Sequence, residues 1–155
     1  MSKAPYKIPI SVLVVIYTPD LQVLLLERAD APGFWQSVTG SQNEGETLFE
    51  TAQREVREET GLDTGRYGLT EWRKENVYEI YERWRDRYAP GTTHNTEHLF
   101  SMKLQQASPV TLSPREHTQF VWLPWQQAAD KVFSPTNAAA IRELPERTAK
   151  KWKHR

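Results

Sequence analysis

Residues 8–17 are Ile, Val, Leu and Tyr with few interruptions, and this run predicts a strand buried on both faces. Thr18-Pro19-Asp20 marks a turn, after which residues 23–27 predict a second strand, the hairpin partner of the first. Ala31-Pro32-Gly33 breaks the chain again, and residues 35–39 predict a short strand running into Gly40. The clearest element follows. Thr47 with Glu50 three residues on forms a capping-box pattern, residues 48–60 hold no Pro or Gly, and Gly61 supplies a C-terminal cap. Further strands are predicted over residues 69–72, 77–84, 97–104 and 119–123, with a turn at Tyr88-Ala89-Pro90-Gly91. Residues 125–132 and 137–144 predict helices separated by Ser134-Pro135. From Glu146 onward the chain is polar and basic and predicts a frayed tail. Strands outnumber helices without strict alternation, which predicts a mixed sheet covered by helices, an α+β or α/β layered domain. No repeat or long linker divides the chain, so residues 1–145 read as one domain and 146–155 as a basic tail.

Composition narrows the function classes. The 155-residue length suits a single core. Hydrophobic content of 38% is low, but 6 Trp and 6 Tyr add packing bulk. Lys and Arg total 20 and Asp and Glu total 20, so no general field draws in nucleic acid or anionic lipid. An anionic ligand must therefore be held by local chemistry. The absence of Cys excludes disulfides and thiolate metal sites. There is no basic-then-apolar leader pattern, and the longest apolar run, residues 12–16, is far too short to cross a bilayer. The expectation is a cytoplasmic protein without nucleic-acid or membrane partners, either a monomer or a weak homodimer.

The chemistry concentrates in the predicted helix over 48–60. Glu55, Glu58 and Glu59 lie at i, i+3 and i+4 and share one side. At about 100° per residue, Glu55 and Glu59 project within about 20° of Leu48, beside the apolar stripe of Leu48, Ala52 and Val56. A solubilising helix places its acids on the far face. Carboxylates beside a core stripe repel one another and lose hydration, and a hard divalent cation is their natural partner. A charged helix with acids paired to Arg54 is the other reading of the glutamates taken alone.

The preceding loop decides between them. Gly40, Glu46, Arg54, Glu55, Val56, Glu58, Glu59, Gly61 and Leu62 match the pattern Gly, five residues, Glu, seven residues, Arg-Glu-apolar-x-Glu-Glu-x-Gly-apolar. This segment resembles the catalytic box of the Nudix hydrolases. The resemblance implies an α/β/α sandwich with a mixed sheet, a loop-helix-loop catalytic motif, and hydrolysis of a phosphoanhydride with Mg²⁺ or Mn²⁺. It implies metal ligation by Glu55 and Glu59, with Glu58 as ligand or helper. It gives Arg54 the task of orienting a carboxylate such as Glu46, and gives Gly40 and Gly61 the tight turns at either end.

Residues 6–144 resemble a narrower group, the dihydroneopterin triphosphate pyrophosphatases of bacterial folate synthesis. Tyr6-Lys7, Pro9, Phe34 to Ser41, Arg87-Tyr88-Ala89-Pro90-Gly91 and Asn95-Thr96-Glu97 carry the likeness. Val38-Thr39-Gly40 stands where many Nudix enzymes have Pro-Gly-Gly. The implied substrate is a small-molecule triphosphate, cleaved to pyrophosphate and a monophosphate. Lys7 and Arg28 become candidate triphosphate contacts, although either alone reads as a surface charge. Thr39 is a candidate hydroxyl contact or a plain strand residue. Glu116 becomes a further metal ligand or the base that activates water. His117 is a weaker base candidate and reads better as a surface residue. Phe34, Trp35, Tyr78 and Tyr81 are candidates for stacking on a pterin ring. The segment Tyr78, Glu79, Ile80 and Tyr81 is a candidate for reading the ring edge through its backbone. Ser134 and Asn137 either cap the last helix or meet substrate. Three other functions compete. One is a Nudix enzyme acting on ordinary or oxidised nucleoside triphosphates. Another is a non-catalytic Nudix-like module, which the full set of box glutamates disfavours. The last is a nucleic-acid binder using Lys150, Lys151, Lys153 and Arg155.

Overall fold

The computed structural model describes residues 6–153. Strands β1 (Ile10–Tyr17), β2 (Gln22–Arg28), β3 (Trp35–Gln36) and β4 (Val38–Ser41) precede helices α1 (Leu48–Thr60) and α2 (Thr64–Tyr67). Strand β5 (Thr70–Glu79), a 3-10 helix (Glu82–Arg87), β6 (His94–Lys103) and β7 (His117–Pro124) follow. Helices α3 (Trp125–Lys131), α4 (Pro135–Arg142) and α5 (Leu144–Lys153) complete the chain. The strands form one seven-stranded sheet in the order β3-β2-β1-β6-β5, with β4 also pairing β1 and β7 also pairing β2. The β1–β6 pairing is parallel and the others are antiparallel, so the sheet is mixed.

Strand β1 explains the layering. Its side chains alternate between faces. Val12, Val14 and Ile16 join Ala52 and Val56 of α1, whereas Leu13, Val15 and Tyr17 join Ala128, Ala138, Ile141 and Leu144 of the C-terminal helices. Both faces are covered, which accounts for the unbroken apolar run. No helix among the described residues is long and apolar enough to cross a membrane.

Four local expectations change. The strand expected over 35–39 is two strands, because the chain switches partner at Ser37: β3 pairs β2 and β4 pairs β1. Ser37 is fully buried, and Asn137 clamps it, accepting from its N–H at 2.9 Å and donating to its hydroxyl at 3.0 Å. The segments expected over 69–72 and 77–84 become one irregular strand, β5. Its register shifts between Glu71 and Glu75, where Arg73 adopts φ 58°, and the remainder winds into the 3-10 helix. Helix α2 was unexpected; it is a single turn capped by the Asp63 side chain, too short to leave a periodicity. Of the residues expected to fray from Glu146 onward, those described, through Lys153, lie in α5, which starts on buried Leu144 and lays Arg147 over the Trp72 ring at 4.0 Å. The side chains of Lys150, Lys151 and Lys153, and all of Arg155, lie outside the described residues.

Helix α1 begins as expected. Thr47 Oγ1 accepts from the Glu50 N–H at 3.1 Å, and Glu50 Oε1 accepts from the Thr47 N–H at 2.9 Å, a complete capping box. Gly61 ends the helix at φ 75°, a conformation that only glycine adopts without strain. The loop ahead of α1 is tied down by Arg54. Its Nε and Nη2 donate to both oxygens of Glu46, at 2.6 and 3.0 Å, and Nη2 also donates to the Ser41 carbonyl at 2.9 Å. Glu46 accepts further bonds from the Asn43 N–H and the Thr51 hydroxyl. The Arg54 guanidinium, foremost among these donors, pulls the Glu46 carboxyl from its ordinary 4.5 down to about 2.

This pair makes a signed prediction. A carboxyl whose pKa is depressed on folding contributes stability that is fully present above the unfolded value and is lost as pH falls toward the folded value. Glu46→Gln should destabilise the fold at neutral pH, and the gap from the parent chain should close between about pH 4.5 and about pH 2. Urea melts of both proteins across that range measure it. A gap that does not vary with pH would show that the ion pair is not its source.

Candidate active site

A cavity of about 820 Å³ opens where β1 and β6 begin and β4 ends, bordered by α1, the 3-10 helix, the 113–117 turn and the start of α4. That size suits a small-molecule ligand. Two kinds of side chain line it.

The first group is charged. Glu55 and Glu59 are only 8% and 1% exposed, on the buried side of α1 with Ala52 and Val56. Burial pushes both pKa values up, Glu59 well above the ordinary carboxylate range. Glu59 Oε1 has no hydrogen-bond partner among the described residues. Arg54 Nη1 donates to Glu55 Oε2 at 2.8 Å and reaches the exposed Glu58 at 3.3 Å. The expected role of Gly40 in a tight turn is corrected: it lies within β4, paired with Val12, and its φ is not positive. What requires glycine is space, since a Cβ there would sit 2.0 Å from the Glu55 carboxyl carbon.

Basic residues face these acids. Lys7 lies at the cavity mouth, its N–H bonded to the Arg87 carbonyl at 2.9 Å. Desolvation, then the nearby Arg87 and Arg28 charges, pull its ammonium below the usual lysine range. Arg28 is held by Asp30 through two 2.8 Å bonds and by Gln36 at 3.2 Å, and lies over the Trp84 ring at 4.3 Å. Asp30 also accepts from Arg87 and from the Trp84 indole, and these donors, Arg28 foremost, hold its carboxyl far below the ordinary range.

Glu116 projects from a turn in which its N–H bonds the Ser113 carbonyl. It lines the cavity, and its charge contributes to raising Glu59. The expected three-carboxylate set of Glu55, Glu59 and Glu116 is not gathered: among the described residues no three acidic or imidazole side chains form a ready cation cage. The reason is placement, with Glu116 exposed on its turn while the α1 pair is buried. His117 is not a surface residue. It is 3% exposed, 3.2 Å from the Gln36 amide and 3.9 Å from Glu59, and burial lowers its pKa to about 4.

The second group is aromatic and amide-rich. Tyr81, Trp84 and Phe133 form a wall, with Tyr81–Phe133 ring centroids 5.6 Å apart and Trp84–Phe133 5.8 Å apart. Tyr78 accepts from Asn95 through its hydroxyl at 3.1 Å. Phe34 packs against Phe133 and Trp84 behind this wall, and neither it nor Trp35 lines the cavity. Thr39 lines the cavity, but its hydroxyl donates to the Val12 carbonyl at 2.9 Å. Of the other expected contacts, Glu79 does not line the cavity and pairs instead with Arg85 at 2.6 Å, whereas Ile80 lines it with its N–H taken by the Thr93 carbonyl at 2.8 Å, just past the end of β5. Ser134 lines the cavity and caps α4 by accepting from the Asn137 N–H at 3.4 Å. Asp30, Gln36, Trp84, Glu97 and Phe133 were not singled out as contacts from the sequence. The alternation of β6 places Asn95 and Glu97 on one face and could have flagged the latter; nothing local marks Trp84 or Phe133.

Comparison with known proteins agrees with this geometry. The NUDIX domain model matches residues 7–144. The chain is 42% identical over 147 residues to a dihydroneopterin triphosphate diphosphatase of Escherichia coli (strain K12), covering 93% of this chain and 97% of the relative. It is 41% identical to the protein of that name from Haemophilus influenzae, over 89% of this chain and 88% of the other. The solved structure of the E. coli dihydroneopterin triphosphate pyrophosphohydrolase superposes with a TM-score of 0.86, covering 90% of this chain and 97% of that one. With its catalytic box on α1 and the family match running from before β1 to the start of α5, the chain belongs to the Nudix hydrolase family.

Proposed function

We propose that this chain hydrolyses dihydroneopterin triphosphate to the monophosphate and pyrophosphate, with magnesium as the natural cation and manganese as a substitute. The reaction would be a cytoplasmic step of folate synthesis. The observation that carries the reading is the buried Glu55–Glu59 pair, packed against Gly40 at one side of a cavity that also holds an aromatic wall. The relatives' names supply the substrate class.

The residues fit a divalent cation. A nearly inaccessible carboxylate oxygen without a protein donor, beside a second desolvated carboxylate, calls for a positive partner of oxygen-loving character. Glu55 and Glu59 would hold it. When bound, such an ion neutralises phosphate charge and acidifies water. The protein's own groups do the rest. Lys7, Arg28 and Arg87 bring positive charge to the triphosphate, Arg28 with the planar fork suited to phosphate oxygens. Asp30 holds the Arg28 and Arg87 guanidiniums in place before substrate arrives. Arg54 keeps Glu55 turned toward the cavity while anchoring the motif loop through Glu46. Glu116, exposed at the cavity lining, accepts the proton of the attacking water. The water oxygen bonds to phosphorus, the anhydride P–O bond breaks, and pyrophosphate leaves. Thr39 and Ser134 border the substrate path. Tyr78 and Tyr81 flank the ring.

Three outcomes are expected. Comparing kcat/KM for dihydroneopterin triphosphate, dATP and 8-oxo-dGTP should show a clear preference for the pterin; a preference for the nucleotides would overturn the substrate assignment. Glu116→Gln should lower kcat by roughly a hundredfold or more, with an unchanged thermal midpoint, in the range of a lost general base. Turnover at the parent rate would remove Glu116 from the chemistry. Magnesium should raise the melting temperature of the parent chain through binding linkage, and Glu59→Gln should abolish that rise. Calorimetric scans with and without the ion measure it, and an equal rise in both proteins would place the cation elsewhere.

A further inference from the structure

The face of β6 opposite the α1 layer carries an unusual pair. Asn95 and Glu97 lie two residues apart and so point the same way. Glu97 pairs with Ser11 across the parallel ladder, one step before Leu13 pairs with Leu99, and those leucines belong to the core beneath the C-terminal helices. Asn95 and Glu97 therefore occupy core positions, at 1% and 4% exposure. Both line the cavity.

Their donors and acceptors do not balance. The Asn95 amide N–H₂ is used fully, donating to the Ser11 hydroxyl at 2.8 Å and the Tyr78 hydroxyl at 3.1 Å. That fixes the amide so that Oδ1 is free to accept, and Oδ1 has no partner among the described residues. Glu97 Oε1 also has none. Two buried acceptors on neighbouring side chains thus face a cavity with nothing donating to them. Such groups cost stability unless something supplies N–H donors. Side chains of Thr136 and Asn76 approach the Glu97 carboxyl, yet burial still raises its pKa.

We infer that Glu97, beside Asn95 on the same face of β6, determines specificity by accepting hydrogen bonds from the 2-amino-4-oxopyrimidine edge of the substrate ring. Such an edge presents adjacent ring N–H and amino donors, the complement of a carboxylate beside an amide oxygen. Pterins and guanine carry it; adenine does not, and hypoxanthine lacks its amino group. Tyr81, Trp84 and Phe133 line the same cavity and offer faces for the ring, so the carboxylate reads the edge while the aromatics hold the plane. This assignment deepens the proposed hydrolysis and rests on it for the identity of the natural substrate.

Steady-state kinetics on the parent chain and Glu97→Gln test it, with dihydroneopterin triphosphate, dGTP, dITP and dATP. The glutamine keeps the shape but turns an acceptor into a donor. Glu97→Gln is expected to raise KM for dihydroneopterin triphosphate and cut kcat/KM roughly tenfold to a hundredfold, with kcat little changed and dATP hydrolysis preserved. Preserved dATP hydrolysis also certifies folding. The parent chain is expected to favour dGTP over dITP, which differ only in the 2-amino group, and Glu97→Gln to remove that preference. The dGTP-to-dITP comparison on the unaltered chain needs no variant. A parent ratio near one, or a Glu97→Gln protein with the parent KM and the parent ratio, overturns the assignment. These outcomes separate from the substrate question. If the parent chain prefers dATP, the pterin reading fails, and the dGTP-to-dITP ratio still decides whether Glu97 reads an amino group. If the parent chain prefers the pterin while Glu97→Gln is indifferent, this assignment alone falls.

Discussion

Two carboxylates packed where α1 would otherwise present apolar side chains determine what surrounds them. Moving each ion out of water costs several kcal/mol even after relaxation, a large share of the roughly 5–15 kcal/mol that holds a domain together. The surroundings of Glu55 and Glu59 are organised against that cost. Arg54 reaches Glu55 from the same helix, Gly40 withdraws its side chain to give the carboxyl room, and Lys7 brings positive charge within electrostatic range. Burial raises the pKa of both acids, the deeper Glu59 more strongly. The motif loop, the strand that carries Gly40 and the cap at Gly61 are all consequences of keeping this pair in place.

On the proposed function the cavity would separate two tasks. Its charged side would take the phosphates with groups already tied down: Asp30 restrains Arg28, Arg87 and Trp84 together. Its other side would take a flat ring, with aromatic walls and buried acceptors standing at positions the sheet would normally give to core residues. The sheet itself connects the two. Gly40 pairs with Val12 and Glu97 with Ser11, so the motif strand and the ring-side strand flank the same stretch of β1. Neighbouring strands are about 4.8 Å apart, and the span across them, about 10 Å, is on the scale of a small phosphorylated heterocycle.

How much of this is legible in the sequence depends on whether the signal is local. The α1 segment is fully legible because its cap, its stripe and its glutamates fall within one short window. The first strand is legible because burial on both sides leaves it uninterrupted. The strand switch at Ser37 is not, because the partner that enforces it is Asn137, far along the chain. Nor is β5, an edge strand whose polar residues and bulge blur its alternation. His117 follows a loop motif and reads as exposed, and only the packing of Gln36 and Glu59 around it places it inside. Gly40 is found by the motif but for the wrong reason, since no sequence pattern reveals a glutamate carboxyl lying against its Cα. The ring wall escapes for the same cause: Trp84 and Phe133 come from separate segments that meet only in the folded chain.

That long-range assembly bears on how the protein acquires its activity as it is made. The bond from Asn95 to Ser11 bridges 84 residues and the clamp from Asn137 to Ser37 bridges 100. Closing loops of that length is slow relative to forming a helix, because chain entropy must be surrendered before the contact rewards it. Helix α1 can wind early, but its acids gain a pocket only once β6 has docked beside β1 and α4 has arrived over Ser37. A chain still emerging from the ribosome therefore carries the catalytic box without a place to bind substrate, and competence arrives together with the last helices.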